Sequence, residues 1–305
     1  MTGDGSAHDS GGTESTGPGA ESGPETTAEE AATDSASEAA EAAEPARAGA
    51  GVRAEDFALD GPRGRVFAGV RFDAPPGSLV ALEGPSGSGR TCLLLSLTGR
   101  MKATGGHAVV GGLRLPQQPA AVRRISALAA VPGVTDLEPS LSAAEHLRER
   151  VLLQRRFGGS LRALLRPRAE RAAASRARID AALAAAGLDL DALPKGPRTR
   201  VRDLERLEAL RLSVALALLG EPRLLAVDDV DFKLSGRERE QAWSLLRSVA
   251  ASGVTVLAVC SEAPRGAVVV RTGTQATHQQ PAETGESGVT SEKEAADALA
   301  ETGRA

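Results

Sequence analysis

The feature that most constrains how this chain can fold is a glycine-rich loop, GPSGSGRT, at residues 84–91. The apolar segment SLVALE (78–83) precedes the loop and has the length of a β-strand. The leucine-rich segment CLLLSLTGR follows it and has the composition of a helix, with Gly99 as the stop signal. A strand, a glycine loop and a helix in this order are the context that a phosphate-binding loop requires.

The loop carries the residue types that phosphate binding needs. Glycines let backbone N–H groups turn inward around phosphate oxygens, and the dipole of the following helix adds positive potential. The hydroxyl of Thr91 can bind a magnesium ion, whereas Arg90 stands where the pattern has lysine. The flanking strand and helix favour this function over a simple strand-to-helix turn. The candidate nucleotide-binding residues are Gly84, Pro85, Ser86, Gly87, Ser88, Gly89, Arg90, Thr91 and Cys92.

A second segment ends in two carboxylates. RLLAVDD (223–229) is an apolar run of strand length that closes on Asp228 and Asp229. A second strand of the same sheet would bring Asp228 to a magnesium ion held by nucleotide phosphates, directly or through water. Asp229 would then polarise an attacking water, a role that needs a carboxylate within hydrogen-bond reach. Paired acids also occur at solvated strand ends, but the glycine loop favours a site.

The rest of the middle of the chain alternates between strand and helix patterns. Strands are predicted at 65–72, which we expect to pair with 78–83, at 107–115 as a hairpin, at 125–131 and at 253–260. Helices are predicted from 141, capped at Ser140 or Ser142, over 161–186 with an interruption at Pro167, over 204–220 closed by Gly220, and around 237–250. This alternation predicts an α/β fold with a parallel sheet that is covered on both faces.

The two ends of the chain differ in composition from its middle. Residues 1–50 carry 11 acidic residues and one basic residue, and residues 272–305 carry six acidic and two basic residues. Such segments bury too little apolar surface to offset the entropy of ordering, so we expect two disordered acidic tails. Residues 292–301 could form a short frayed helix. Residues 51–271 carry 33 basic and 23 acidic residues, so the predicted folded part is basic.

A basic domain is compatible with nucleic acid, with anionic lipid headgroups or with a solvated surface. The chain has five Phe, one Trp and no Tyr, which leaves few aromatic side chains to stack on bases. Nucleic acid is therefore not the expected partner. The basic excess is concentrated at residues 147–211, with 16 basic and 8 acidic residues, where anionic headgroups and a solvated face both remain open.

The cysteines and the apolar runs bear on the compartment. Cys92 and Cys260 are too few to form a disulfide framework in 305 residues and are expected to be reduced thiols. No apolar run approaches the roughly 18 residues of a membrane span, and the N-terminus MTGDGSAHDS lacks the features of a signal peptide. We therefore expect a cytoplasmic chain.

Residues 51–271 together resemble the ATP-binding cassette subunit of ABC transporters. The best match is ALALLGEPRLLAVDD (215–229). Residues 204–208 stand in the place of the family's Leu-Ser-Gly-Gly-Gln signature, residues 125–147 resemble the segment with its glutamine loop, and LAVCSE (257–262) ends at the place of its switch histidine. The resemblance implies a P-loop NTPase (RecA-like) core with a mostly parallel sheet, an antiparallel β edge and a helical insertion at about 136–211.

The resemblance also implies the ligands, ATP and Mg²⁺. Thr91 and Asp228 are then the metal-binding residues, and Asp229 stands at the position of the catalytic glutamate. Asp229 is shorter than glutamate by one methylene, and a displacement of about 1 Å can cost on the order of a hundredfold in rate. The arginine that replaces the loop lysine can still pair with phosphate, but it is not a geometric equivalent.

Three further positions depart from the family pattern. Gly133 falls where the family has glutamine and Ser261 where it has histidine, so a metal or water contact and a γ-phosphate contact are lost. Glu205 stands at the signature serine, where a carboxylate would repel the γ-phosphate of a partner subunit's nucleotide. For the aromatic residue that stacks on adenine, the nearest candidates are Phe57 and Phe67.

The resemblance implies a function and a set of partners. It implies an ATP-binding subunit, peripheral at the inner face of the cell membrane, that binds Mg-ATP and hydrolyses it slowly to drive a membrane-spanning permease. Such a subunit works as a homodimer or as a heterodimer with another cassette. The altered positions leave open a non-hydrolysing regulatory or interaction module, the degenerate half of a heterodimer. A soluble cassette that acts on nucleic acid is a third function, supported by the basic core alone.

Overall fold

The computed structural model describes residues 49–62, 64–157 and 167–273. Within these ranges the chain forms two β-sheets and six α-helices. The strands are β1 (Val52–Gly61), β2 (Gly64–Ala74), β3 (Leu79–Glu83), β4 (Gly105–Val110), β5 (Leu113–Leu115), β6 (Ser126–Ala129), β7 (Leu224–Val227), β8 (Thr255–Cys260) and β9 (Val268–Arg271). The helices are α1 (Arg90–Leu97), α2 (Pro119–Ile125), α3 (Ala143–Phe157), α4 (Arg168–Ala186), α5 (Arg206–Leu218) and α6 (Gly236–Ala251), with short 3₁₀ helices at Gly196–Arg198 and Val201–Asp203.

The central sheet is parallel and has the strand order β6-β7-β8-β3-β9. Strands β6, β7 and β8 are buried along their whole length, which explains why their sequences are continuous apolar runs. Alternate residues of β7 belong to different cores: Leu225 packs on the side of α5 and α6, and Leu224 on the side of α1. The prediction of a parallel sheet covered on both faces is confirmed.

The second sheet is antiparallel, in the order β2-β1-β4-β5. The predicted pairing of segments 65–72 and 78–83 is wrong, because β2 pairs with β1 whereas β3 lies in the parallel sheet. The intervening residues Pro75 and Pro76 lack backbone donors and carry the chain from one sheet to the other. The predicted hairpin is confirmed as β4 and β5, joined by Gly111 and Gly112, which both have positive φ.

Most predicted helix boundaries agree with the structure. The cap of α3 is Ser142, whose backbone N–H donates to Glu145 Oε2 at 2.8 Å in a capping box. Helix α4 begins directly after Pro167, where the interruption was predicted, and ends at Ala186 as predicted. Helix α5 ends at Leu218, but the left-handed residue beyond it is Glu221 (φ 47°) rather than Gly220.

The first and last described residues, near the predicted domain limits of 51 and 271, are hydrogen-bonded to the rest of the fold. The backbone N–H of Ala50 donates to Arg223 O at 2.9 Å, and that of Thr272 donates to Glu83 O at 2.9 Å. The predicted tails lie almost wholly outside the described residues, as do residues 158–166 of the helical insertion. Among the helices that the structure describes, none is long and apolar enough to cross a membrane.

Candidate phosphate-binding site

The glycine loop lies between the end of β3 and the start of α1. Gly87 (φ 80°) and Gly89 (φ 83°) adopt a backbone conformation that residues with a side chain rarely take. A Cβ at Gly89 would also lie 2.5 Å from the carbonyl oxygen of Val66, so a side chain there would collide with β2. The loop therefore keeps its backbone amides at the amino end of α1, where the helix dipole is positive.

Thr272, near the last of the described residues, forms a hydrogen bond with this loop. Ser88 Oγ and Thr272 Oγ1 are 2.7 Å apart, and a Cβ at Gly84 would lie within 2.7 Å of both hydroxyls. Pro85 and Ser86 are exposed at the tip of the loop. Thr272 lies in the segment predicted to be a tail, because no motif marks a residue that reaches the loop from the far end of the fold.

Arg90 and Cys92 lie in the first turn of α1. The Arg90 side chain reaches across to the end of β8, where its Nη1 donates to the carbonyl oxygen of Cys260 at 2.6 Å. Cys92 is half-buried and packs against the core that α1 shares with the antiparallel sheet. The structure thus brings Arg90 toward a second strand end, whereas the thiol of Cys92 packs against apolar residues.

Thr91 and Asp228 meet, as the sequence analysis predicted. Thr91 Oγ1 donates to Asp228 Oδ2 at 2.8 Å, although the residues are far apart in the chain. Asp228 is 2% exposed, and burial raises the pKa of its carboxyl despite the hydrogen bond from Thr91, which favours the charged form. A hydroxyl and a carboxylate are ligands that Mg²⁺ accepts together with phosphate oxygens, so the residues fit this ion.

Asp229 has an unusual backbone. Its φ of 46° is left-handed, and its N–H donates to Asp228 Oδ1 at 3.0 Å. Such conformations are costly for a residue with a side chain and are found where the surroundings impose them, often at functional sites. Asp229 lines a cavity of about 230 Å³ between the end of β7 and α5.

The same cavity holds a carboxylate that the sequence analysis missed. Asp136 lines it, and Asp136 Oδ2 accepts a hydrogen bond from the backbone N–H of Gly133 at 2.8 Å. Gly133 is exposed and has a positive φ of 74°, and it offers no side chain toward the cavity. The carboxylate that this loop contributes to the cavity is therefore Asp136, and no motif in the sequence indicated it.

The two other altered positions lie on different elements. Ser261 directly follows β8, is exposed, and donates its backbone N–H to Asp231 Oδ2 at 2.8 Å. Glu205 is the N-cap of α5 and forms a capping box with Glu208, whose Oε2 accepts from the Glu205 N–H at 2.8 Å. The amino end of α5 thus carries two carboxylates of its own.

The expected adenine-stacking candidates are excluded by burial. Phe57 is 0% exposed and Phe67 is 4% exposed, and their ring centroids are 6.0 Å apart in the core beside α1. Neither ring presents a face to a ligand. Burial therefore removes both of the nearest candidates, because the inward positions of β1 and β2 belong to the apolar core.

Known proteins are similar to this chain in sequence. The protein-family model for ABC transporters matches residues 67–231 of this chain. The Nod factor export ATP-binding protein I of Cupriavidus pinatubonensis is 33% identical over 182 residues, 59% of this chain and 49% of that protein. The ribose import ATP-binding protein RbsA 2 of Burkholderia pseudomallei is 29% identical over 197 residues, 64% of this chain and 36% of that protein.

A solved structure gives the same picture of the fold. A dimeric ATP-binding cassette in a post-hydrolysis state, bound to ADP and Pi, aligns with a TM-score of 0.53 at 21% identity, over 69% of this chain and 88% of that one. This likeness confirms the predicted fold class. The chain spans about half the length of the curated relatives it matches.

Proposed function

This chain belongs to the ABC transporter family, and on that premise we propose that it is an ATP-binding subunit that binds Mg-ATP at residues 84–91 and hydrolyses it slowly. The energy of binding and hydrolysis would drive a membrane-spanning permease. The relatives are named for export of Nod factor and for import of ribose, so the direction and the substrate of transport are not part of the proposal.

One observation carries the proposal: the hydrogen bond between Thr91 and Asp228 beside the glycine loop. It joins the start of α1 to the end of β7, so a hydroxyl, a carboxylate and the loop amides converge at the carboxyl edge of the parallel sheet. Ligands of open α/β sheets bind at this edge. Desolvation raises the pKa of the Asp228 carboxyl, so burial of this group is costly unless a cation stabilises its charged form. A bound Mg²⁺ would do so.

Each residue has its own task in this proposal. The loop amides and Arg90 would bind the phosphates, and Thr91 with Asp228 would hold Mg²⁺, which offsets phosphate charge when bound. Asp229 would orient a water at the edge of its cavity and accept the proton from it. Hydrolysis would be slow because Asp229 is short and because positions 133 and 261 contribute no side chain that replaces glutamine or histidine.

We place the permease at a groove between β6 and α3. The groove encloses about 680 Å³, and the exposed side chains of Val134 and Leu153 border it. Its charged or titratable lining consists of Arg100, Arg123, Arg150, Asp136, Glu138, Glu149 and His146. Apolar contacts with a charged surround are typical of protein interfaces, so a segment of a membrane partner suits this groove. The chain would then lie at the cytoplasmic face of the membrane.

A second function is favoured by the amino end of α5. Glu205 and Glu208 form a capping box that places two carboxylates at this helix end, and they would disfavour a phosphate of a partner subunit's nucleotide there. In a homodimer both sites would carry this defect. A non-hydrolysing module, paired with a complete cassette, would need only the phosphate loop of this chain.

The test is a titration with Mg-ATP together with steady-state hydrolysis by the full chain. We expect binding with slow turnover, and in Asp229→Asn we expect retained binding with turnover reduced on the order of a hundredfold or more. Asp60→Asn, an exposed carboxylate of β1, serves as the matched control and should behave as the wild type. Turnover that persists in Asp229→Asn would contradict the role of Asp229. Binding without any turnover would support the second function, and no binding would refute both.

A further inference from the structure

A small cavity lies at the carboxyl end of α1, opposite the end that carries the phosphate loop. It encloses about 160 Å³, and Ser96 in the last turn of α1 is one of its lining residues. Ser96 is 1% exposed, and its hydroxyl has no hydrogen-bond partner among the residues that the structure describes. Because an unpaired buried hydroxyl is costly, native proteins supply such groups with a water or a ligand. The Ser96 hydroxyl therefore marks this cavity as a place where a polar group would be stabilised.

The lining of the cavity has a cationic part and an apolar part. The cationic side chains are Arg100, Lys102 and Arg123, and the described lining residues include no carboxylate. The apolar lining residues are Phe57, Met101, Ala103, Leu115, Pro116 and Pro119. Positive charge on one side and apolar surface on the other suit a ligand with one anionic group and a short apolar part.

The two arginines are held in place by uncharged acceptors. Arg100 Nη1 donates to Ser126 Oγ at 2.9 Å, and Arg100 Nη2 donates to Ser126 O at 3.2 Å. Arg123 Nη1 donates to Gly99 O at 2.7 Å. In the described part of the chain, neither arginine nor Lys102 forms an ion pair. The guanidinium groups are thus oriented without being neutralised.

The uncompensated charge affects the pKa of Arg100. This pKa falls to about 10, because burial disfavours the charged guanidinium and because Arg123 and Arg150 repel it. Arg100 is still charged at neutral pH, since its pKa remains well above 7. An anion in the cavity would offset both the burial and the repulsion.

The size of the cavity limits what it can hold. A water molecule takes about 30 Å³ of liquid, so the cavity has room for roughly five waters or for a comparably small ligand. A nucleotide needs a pocket of at least about 300 Å³. A phosphate ion would turn some of its oxygens toward the apolar side, where they would lack partners. A carboxylate has only two oxygens, which match the planar guanidinium fork, and an alkyl chain attached to it can pack on the apolar side.

We propose that this cavity binds a small aliphatic monocarboxylate. Its carboxylate would accept hydrogen bonds from the Ser96 hydroxyl and from the remaining N–H groups of Arg100, and its alkyl chain would contact Phe57 and Leu115. None of these residues belongs to the proposed nucleotide site, so the inference goes beyond the proposed function. Arg100 also borders the groove proposed for the permease, whereas Ser96 does not, and Ser96 is therefore the main residue of the test.

The experiment titrates the nucleotide-free full chain with sodium propionate and measures binding by calorimetry, at an ionic strength held constant with sodium chloride. We expect saturable binding at one site with a Kd on the order of 1 mM, which suits a ligand of this size. Inorganic phosphate should bind at least about fivefold more weakly, because the apolar side of the cavity leaves some of its oxygens unpaired.

Two variants test the assigned contacts. Ser96→Ala should weaken propionate binding about tenfold, the size of one lost hydrogen bond to a charged group. It should not lower the melting temperature of the free protein, since it removes an unpaired hydroxyl. Arg100→Lys keeps the charge but loses the planar fork, so it should weaken binding by a similar factor.

The matched control is Ser175→Ala. Ser175 is also a buried helical serine, but it lies on α4 and its hydroxyl donates to Arg171 O at 2.9 Å. This variant should bind propionate as the wild type does, and thermal unfolding of each variant checks that the fold is intact.

Three results would overturn the inference. They are a lack of saturable propionate binding, an affinity in Ser96→Ala equal to that of the wild type, and phosphate that binds as tightly as propionate. The last result would show that charge alone determines what the cavity binds. Because no nucleotide takes part in these titrations, their outcome is independent of the proposed function.

Discussion

Asp228 sits in surroundings that favour its uncharged form. Burial raises its folded pKa above the ordinary value of 3.8, so the native state holds this proton more tightly than the unfolded chain does. The contribution of Asp228 to the free energy of unfolding therefore falls as pH rises from about 3.8 through the folded pKa. A cation bound beside Asp228 would offset the cost of its charged form, in addition to the hydrogen bond from Thr91.

Replacing this carboxylate should therefore raise the stability of the protein and abolish its magnesium-dependent binding of ATP. We expect Asp228→Asn to raise the melting temperature at pH 7, since each kcal/mol corresponds to about 2–4 °C in a domain of this size. The gain should shrink as the pH falls toward 4, and magnesium-dependent binding of ATP should be lost. Calorimetry between pH 4 and 7 checks this, with Asp60→Asn as the exposed control. A melting temperature that drops at pH 7 would show that Asp228 stabilises the fold.

Helix α5 differs from its neighbours in how it begins. Helices α3 and α6 are capped by Ser142 and Ser235, which are neutral, whereas α5 is capped by Glu205. All three have a glutamate at the third helical position that completes a capping box. The carboxylates oppose the positive end of α5, so we expect this helix end to attract a further anion only weakly.

Glu205→Ser should leave α5 capped and remove one negative charge from its amino end. In an Asp229→Asn background, we expect dimerisation in the presence of Mg-ATP to strengthen about tenfold, the worth of one charged contact. Stability should change by less than about 1 kcal/mol, because serine is itself a good cap. Sedimentation with and without nucleotide measures the association. Ser142→Ala, which weakens a cap away from the site, should not affect it, and an unchanged dimer in Glu205→Ser would contradict the repulsion.

The elements that could be predicted are those whose pattern of apolar residues follows from their burial. Strands β7 and β8 are buried on both faces, so continuous apolar runs marked them. Strand β1 was missed because bulges between Ala54 and Leu59 break its period of two and its exposed positions are charged. The wrong partner for β2 has the same origin, since a pattern of apolar residues shows that a strand exists but not which strand it pairs with.

The site was predictable to the same extent. Motif spacing indicated Thr91 and Asp228, because each motif fixes where its residue lies relative to the adjacent helix or strand. Thr91 lies at the start of a helix and Asp228 at the end of a strand. The contacts of Asp136 and Thr272 depend on how distant segments pack together, and no local pattern encodes them. The burial of Phe57 could not be predicted for a related reason. The sequence pattern around an aromatic residue in a strand is the same whether the ring faces the core or a ligand.

At the scale of the whole molecule, the site and the ends of the described body are physically joined. Thr272 connects the end of the chain's last described strand to Ser88 through its hydroxyl and to Glu83 through its backbone N–H. The predicted limit at residue 271 would cut this connection. The body alone is basic, whereas the full chain has a formal net charge of −4. Removing both tails should therefore favour encounter with an anionic nucleotide at low ionic strength.

A truncated chain of residues 49–273 should bind Mg-ATP as tightly as the full chain or slightly more tightly at low salt. A chain of residues 49–271 should bind about tenfold more weakly, because the glycine loop loses its fastening hydroxyl. Thr272→Val in the full chain should reproduce that loss and Thr272→Ser should not, which separates the hydroxyl from the length of the chain. If 49–273 binds weakly and Thr272→Val binds normally, the tails rather than Thr272 contribute to the site, and the division into a body and two dispensable tails is wrong.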